Sequence, residues 1–242
     1  MNEELRVQEI QLSNGPVLVF GGVYSNLPAL EKMMEIAAQL HIPSGNIICT
    51  GDIVGYCAEP ESCVQRIREW GIHSIAGNVE IQLRNREEDC GCNFDEGSRC
   101  DTFSRKWYPY AQSQLSEDSI QWMLSLPHHL RFQYGKKRGY VLHGSFFNPS
   151  EFVFRSTNRS KKRANFEAAK ADIVLAGHCG LPFHHEQDGL LWLNAGVIGM
   201  PANDGTTRVW YAVLDMREHE VVYRHLSYEY DHESAARGME QH

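Results

Sequence analysis

An α/β fold is predicted by three features of this chain. Short apolar runs alternate with helical repeats through the first third. Several of those runs stop at a glycine beside one polar side chain, in Gly51-Asp52, Gly77-Asn78, His143-Gly144 and Gly177-His178. The second half returns to strand-like runs separated by turn signals.

The elements follow in order. Val17-Leu18-Val19-Phe20 reads as a buried strand. Asn26 caps a helix whose first turn tolerates Pro28, and Leu30, Met33, Met34, Ala37 and Leu40 share its apolar face. Ile47-Ile48-Cys49 is the next strand, with Asp52 on the loop after it. A helix from Glu59-Pro60 carries Val64, Ile67 and Trp70, and a strand over 73–76 leads to Asn78. This order implies right-handed βαβ units and a parallel sheet, which binds ligands beyond the carboxyl ends of its strands. Asp52 and Asn78 both fall there.

Residues 86–127 read as an insertion. A cysteine-rich loop is followed by helices over 102–115 and 117–126, carrying Trp107, Tyr108, Tyr110, Trp122 and Met123. They form either a cap packing its aromatics on the core or a substrate-covering lid. Strands then pair across Gly135-Lys136-Lys137, a buried strand over 172–175 ends at Gly177-His178, and Asp188-Gly189 makes a second hairpin turn. Two further strands over 209–214 and 220–226 complete the core. Residues 227–242 read as a frayed polar tail.

Composition narrows the class. A chain of 242 residues with 42% hydrophobic and 22% charged residues fits one soluble domain with a substantial core. No apolar run approaches the length of a membrane span. Met1-Asn2-Glu3-Glu4 lacks the apolar run of a signal peptide, so the expected compartment is the cytoplasm, with the seven cysteines reduced. A formal charge of −8 argues against nucleic acid as a partner, because phosphate backbones demand a basic surface. The local cluster Arg155, Arg159, Lys161, Lys162 and Arg163 reads as a solvated helix start.

Asp52, Asn78, His143 and His178 are the candidate metal ligands: a carboxylate, an amide oxygen and two imidazoles form a nitrogen–oxygen set suited to one divalent ion such as Mn, Zn or Fe. Cys90, Cys92 and Cys100 could bind zinc or an iron–sulfur cluster, but they lack a CxxC pair and read better as buried or free thiols. His128-His129 read as surface. His184 and His185 lie on a strand and diverge.

The order Gly-Asp, Gly-Asn, His-Gly, Gly-His, then Asn194-Ala195-Gly196 with Gly199 and Pro201, resembles the calcineurin-like metallophosphoesterase superfamily, nearest its small prokaryotic phosphodiesterases. The resemblance covers about residues 16–226, least well over the insertion. It implies two mixed sheets between helices, a four-layer α/β/β/α sandwich. It also implies a dinuclear site in which Asp52 bridges two ions and Asn78, His143 and His178 complete one of them, with Asp52, Asn78 and His143 in catalytic roles. The ligands of the other ion depart from the family: its Asp-x-His pair is Gly22 and Tyr24, and its last histidine is Gly180. Val79 stands where the family places a histidine that assists the leaving group. The expectation is therefore a one-ion phosphoesterase acting on a small phosphorylated molecule. Cys57, Cys179, Glu80 and Tyr24 are candidates for rebuilding the lost half. The alternative is an inactive scaffold that binds a protein partner through the helical insertion.

Overall fold

The computed structural model describes residues 5–92 and 95–241, and only the backbone of Cys100. Met1-Asn2-Glu3-Glu4, read above for a signal peptide, lies outside the described residues, as does the side chain of Cys100.

Two mixed sheets lie face to face. The first holds β1 (Val7–Glu9), β5 (His129–Tyr134), β6 (Lys137–Val141), β7 (Ile173–Ala176), β9 (Leu190–Asn194) and β8 (Phe183–Gln187), in the order β1-β5-β6-β7-β9-β8. The second runs β11 (Glu220–Tyr228), β10 (Val209–Arg217), β2 (Val17–Phe20), β3 (Ile47–Cys49) and β4 (His73–Ser74). Helices α1 (Leu27–Gln39), α2 (Pro60–Trp70), α3 (Asn78–Asn85), α4 (Arg99–Gln114) and α5 (Glu117–Ser125) cover the second sheet, and α6 (Arg159–Ala169) covers the first. A last helix, α7 (His232–Glu240), packs on α1.

Side-chain alternation builds the layers. Val17 and Val19 of β2 meet Leu130, Phe132, Leu175 and Leu193 between the sheets, whereas Leu18 and Phe20 turn outward under α1 and α2. A strand buried on both faces must be apolar at every position, which explains the unbroken Val-Leu-Val-Phe run. In the insertion, Trp107, Tyr108 and Met123 join the core beneath α4 and α5.

Several expectations are corrected. The segment after Tyr228 is not frayed: Asp231 caps α7 through Ser234 N–H at 2.9 Å, and Ala235 is buried. A single capped turn pattern among polar residues hides such a helix until α1 supplies its partner surface. Residues 78–85, assigned no element from the sequence, form α3. Lys162 is not solvated but 1% exposed, its Nζ donating to the Arg155 and Thr157 carbonyls at 2.8 and 3.1 Å.

His128 and His129 are not surface residues either. The Arg6 N–H donates to His128 Nδ1 at 3.0 Å, and Arg84 Nη2 lies 2.7 Å from its Nε2. His129 is buried, facing the Tyr140 hydroxyl at 3.0 Å and ringed by Tyr140 and Phe146. The reason is β1, a short exposed strand with no apolar signature that pairs with β5 and closes that edge.

Burial and then neighbouring His128 push His129 down to about 4. The unfolded chain then binds a proton at His129 between pH 6.5 and 4 that the folded chain refuses. Its contribution is complete above pH 6.5 and lost as pH falls through that window, by about 3 kcal/mol at most. Urea unfolding at pH 7 and pH 4.5 should show this fall. His129→Gln, which keeps an acceptor for Tyr140, should show a smaller one, and an unchanged fall would assign the acid sensitivity elsewhere.

Candidate metal centre

Four strands deliver the four candidate ligands to one end of the sandwich. Asp52 follows β3 and Asn78 follows β4 in one sheet; His143 follows β6 and His178 follows β7 in the other. The loops are packed too tightly for ordinary residues at two glycines. A Cβ on Gly51, whose φ is +92°, would lie 2.6 Å from Gly77 N, and one on Gly77 would lie 2.2 Å from Asp52 Oδ1.

The ligand atoms of Asp52, His143 and His178 lie within 4.8 Å of one another, and all three residues are buried. His143 Nε2 is 3.1 Å from Asp52 Oδ2 and 3.1 Å from Asn78 Oδ1. Its Nδ1 is 2.6 Å from the Thr50 carbonyl, which accepts the Nδ1 proton. A neutral imidazole with that tautomer turns a lone pair toward two more acceptors. The arrangement is satisfied either by a proton on Nε2 or by a cation among the three atoms.

Electrostatics agree. Burial alone would lower His143, but the Asp52 charge and hydrogen bond outweigh it and the net shift is upward. Burial likewise opposes the Asp52 charge, yet His143 prevails and holds its carboxyl below the usual range. His178 is pushed down to about 4, first by burial and then by His143, so it is neutral and able to donate a lone pair. Neither ring nitrogen of His178 has a hydrogen bond of ordinary geometry; the Ser150 backbone makes only a looser approach. Two buried nitrogens without partners are costly unless something else uses them. Among the described residues this donor set fits a divalent cation.

Further residues hold the candidate ligands in place. Asn78 Nδ2 donates to the Cys90 carbonyl at 2.8 Å and to Cys92 Sγ at 3.2 Å, which turns Oδ1 toward His143. Asn194 Nδ2 donates to the Gly177 carbonyl at 2.6 Å, fixing the turn that carries His178, and the Phe152 ring lies 4.2 Å from the His178 ring. Neither role was legible in advance, since each bond joins residues whose partners are set by the fold.

The replacements thought able to rebuild the other ion's ligands do not join the cluster. Glu80 is fully buried and spends both oxygens on backbone: the N–H groups of Asp52 and Gly77 donate to it at 2.8 Å and that of Val54 at 3.1 Å. Burial, then the Asp52 charge, push Glu80 up to about 7. Burial pushes the Cys57 thiol up to about 12 and the Cys179 thiol to about 11, so neither offers a thiolate readily. Tyr24 is also raised, by burial and then Asp52. A Cβ on Gly22 would meet a Val197 methyl at 2.5 Å and the Tyr24 ring at 2.7 Å, so that ring and methyl occupy the space beside Gly22.

Residues 17–219 match the model of the calcineurin-like phosphoesterase superfamily domain. The chain belongs to that superfamily. Its calcineurin-like fold is shared with a metallophosphoesterase from Sphaerobacter thermophilus, at a TM-score of 0.71 and 25% identity, covering 95% of this chain and 94% of that one. A hypothetical protein from Pyrococcus horikoshii superposes at 0.74 with 19% identity, covering 93% and 92%. An uncharacterized protein of Methanocaldococcus jannaschii is 22% identical over 228 residues, 88% of each chain. The α/β/β/α sandwich is thus that of a calcineurin-like phosphoesterase. No helix among the described residues is long and apolar enough to cross a membrane.

Proposed function

We propose that this calcineurin-like phosphoesterase hydrolyses a small phosphoester with one divalent ion held by Asp52, Asn78, His143 and His178. The observation that carries the reading is the buried His178 imidazole, neither nitrogen in a hydrogen bond of ordinary geometry, within 4.8 Å of Asp52 and His143. When bound, the ion would polarise the phosphoryl group and make water a better nucleophile.

A one-ion stoichiometry is supported by Gly22 and Gly180, which offer no side-chain donor, and by Tyr24, whose buried phenol resists ionisation. The residues have separable tasks. His143 would offer its Nε2 lone pair to the ion, and because proton and ion compete for that nitrogen, uptake would weaken at low pH. Thr50 keeps the remaining His143 proton on Nδ1, and the Cys90 carbonyl and Cys92 sulfur keep the Asn78 oxygen facing inward. Val79 cannot donate a proton to a departing alkoxide, so esters of acidic alcohols and phenols are the expected substrates.

Metal content of protein purified without chelator, and hydrolysis of bis-p-nitrophenyl phosphate with Mn²⁺, test this. One ion per chain and turnover are expected in the wild type, and loss of both in His178→Ala. Two ions per chain would refute the one-ion site. Bound metal without hydrolysis of any phosphoester would favour an inactive binding module instead.

A further inference from the structure

We propose that the cavity beneath the helical insertion receives the apolar, ring-bearing alcohol portion of the ester whose phosphoryl group lies at Asp52. This rests on the phosphoesterase reading and extends it to a substrate class, aryl phosphoesters. The cavity measures about 580 Å³, within the size range of small-molecule sites, and is walled by α4, α7 and the Gly199-Met200-Pro201 turn.

Its connection to the metal centre is covalent and by contact. Tyr56 lines the cavity and stands four residues after Asp52 on the same loop. Rings continue in a row, Tyr24 to Tyr56 at 4.9 Å and Tyr56 to Trp107 at 5.1 Å. The Tyr24 N–H donates to the Asp52 carbonyl at 3.1 Å, which ties the row's near end to the ligand loop. Where Gly22 leaves room, the Tyr24 ring fills it, so the surface beside Gly22 is aromatic.

The lining suits a ring rather than a polar group. Asn26 Nδ2 is committed to the Gly199 carbonyl and the Tyr230 hydroxyl, and the Tyr110 hydroxyl donates to the Ala58 carbonyl. Ring faces, methionines and methyl groups make up most of what remains, and the polar groups left among the described lining residues include Thr207, His232, Lys106 and the Trp107 indole N–H, which has no hydrogen-bond partner. Phe103, Met200 and Met239 are 50%, 38% and 48% exposed, and all three line this cavity. Apolar surface concentrated at a concave site marks a binding surface, and methionines adapt to varied rings.

The test separates this assignment from the activity beneath it. Calorimetric titration of metal-free protein with 1-naphthol reads the cavity without catalysis; kcat/KM for 1-naphthyl and phenyl phosphate with Mn²⁺ reads its use. Ala236→Trp fills the cavity from an exposed position on α7, so folding is not at stake. Wild type is expected to bind naphthol and to favour the naphthyl ester by about 10-fold, the scale of one good ring contact. Ala236→Trp should abolish the binding and bring the ratio of the two esters toward unity. Hydrolysis without naphthol binding, or a naphthyl preference that survives Ala236→Trp, overturns the assignment and leaves the phosphoesterase reading standing. Naphthol binding that Ala236→Trp blocks, in a protein that hydrolyses neither these esters nor bis-p-nitrophenyl phosphate, supports the ring site and refutes the phosphoesterase reading.

Discussion

Asp52→Asn is expected to leave the protein folded and to strip it of metal and of hydrolysis. Asp52 is the single carboxylate in the cluster, and the amide keeps its shape. The weak bond from Val79 N–H to Oδ1, 3.4 Å, can survive with the amide oxygen in that place. What disappears is the negative charge that would offset a buried cation and that raises the proton affinity of His143. Removing residues that merely orient ligands costs about 10–100-fold in metal affinity, so losing a charged ligand should cost more. Hydrolysis should fall by at least about 100-fold, the low end of what one acid–base group supplies. Elemental analysis, Mn²⁺ titration and turnover of bis-p-nitrophenyl phosphate read these effects, and circular dichroism with urea unfolding checks the fold. Full metal content in the variant would remove Asp52 from the site.

Glu80→Ala should produce the largest loss of stability of any single change near the centre. The carboxylate is wholly inside the protein and answers three backbone N–H groups from two separate loops. Truncation strands those donors in a space that water enters poorly. Each unsatisfied buried donor costs about 1–3 kcal/mol, and because the three relax together the expected total is about 3–5 kcal/mol. Two of the donors belong to Asp52 and Gly77, so the ligand loop and the start of α3 loosen with the fold. Urea unfolding should show the loss, and Mn²⁺ affinity should fall although Glu80 touches no ion. Glu80→Gln, which retains one oxygen, should fall between. A Glu80→Ala protein as stable as wild type would mean that the loops hold themselves.

The two variants also distinguish charge from scaffolding. Asp52→Asn should spare the unfolding midpoint and abolish metal uptake; Glu80→Ala should lower both. A reversed pattern would place the ligand charge at Glu80.

Strands β2 to β11, the helices over 27–39 and 60–70 and the four candidate donors at the turn ends were readable from the chain, because each depends on neighbours within a few residues. Apolar runs of three or four residues ending in Gly-Asp or Gly-His carry strand, turn and ligand in one short stretch. The glycines mattered for the same local reason, as backbone approaches that leave no room for Cβ. Family resemblance added the pairing of two sheets, which no single stretch encodes.

Other features depend on partners distant in sequence. Glu80 looked like a spare ligand until its oxygens were found on Asp52, Val54 and Gly77. His129 looked exposed because β1, which closes its edge, has no apolar pattern of its own. The row of Tyr24, Tyr56 and Trp107 spans 84 positions and exists only because the insertion folds back over the Asp52 loop.

The amino-acid sequence by itself determined which donors stand at the strand ends and that Gly22, Tyr24 and Gly180 offer no Asp-x-His or histidine ligands. Only the tertiary structure decided that the four donors meet, that Glu80 braces rather than binds, and that rings fill the space beside Gly22. Local conformation follows from bonded neighbours and side-chain period, whereas burial, pKa and coordination arise from atoms brought close by packing.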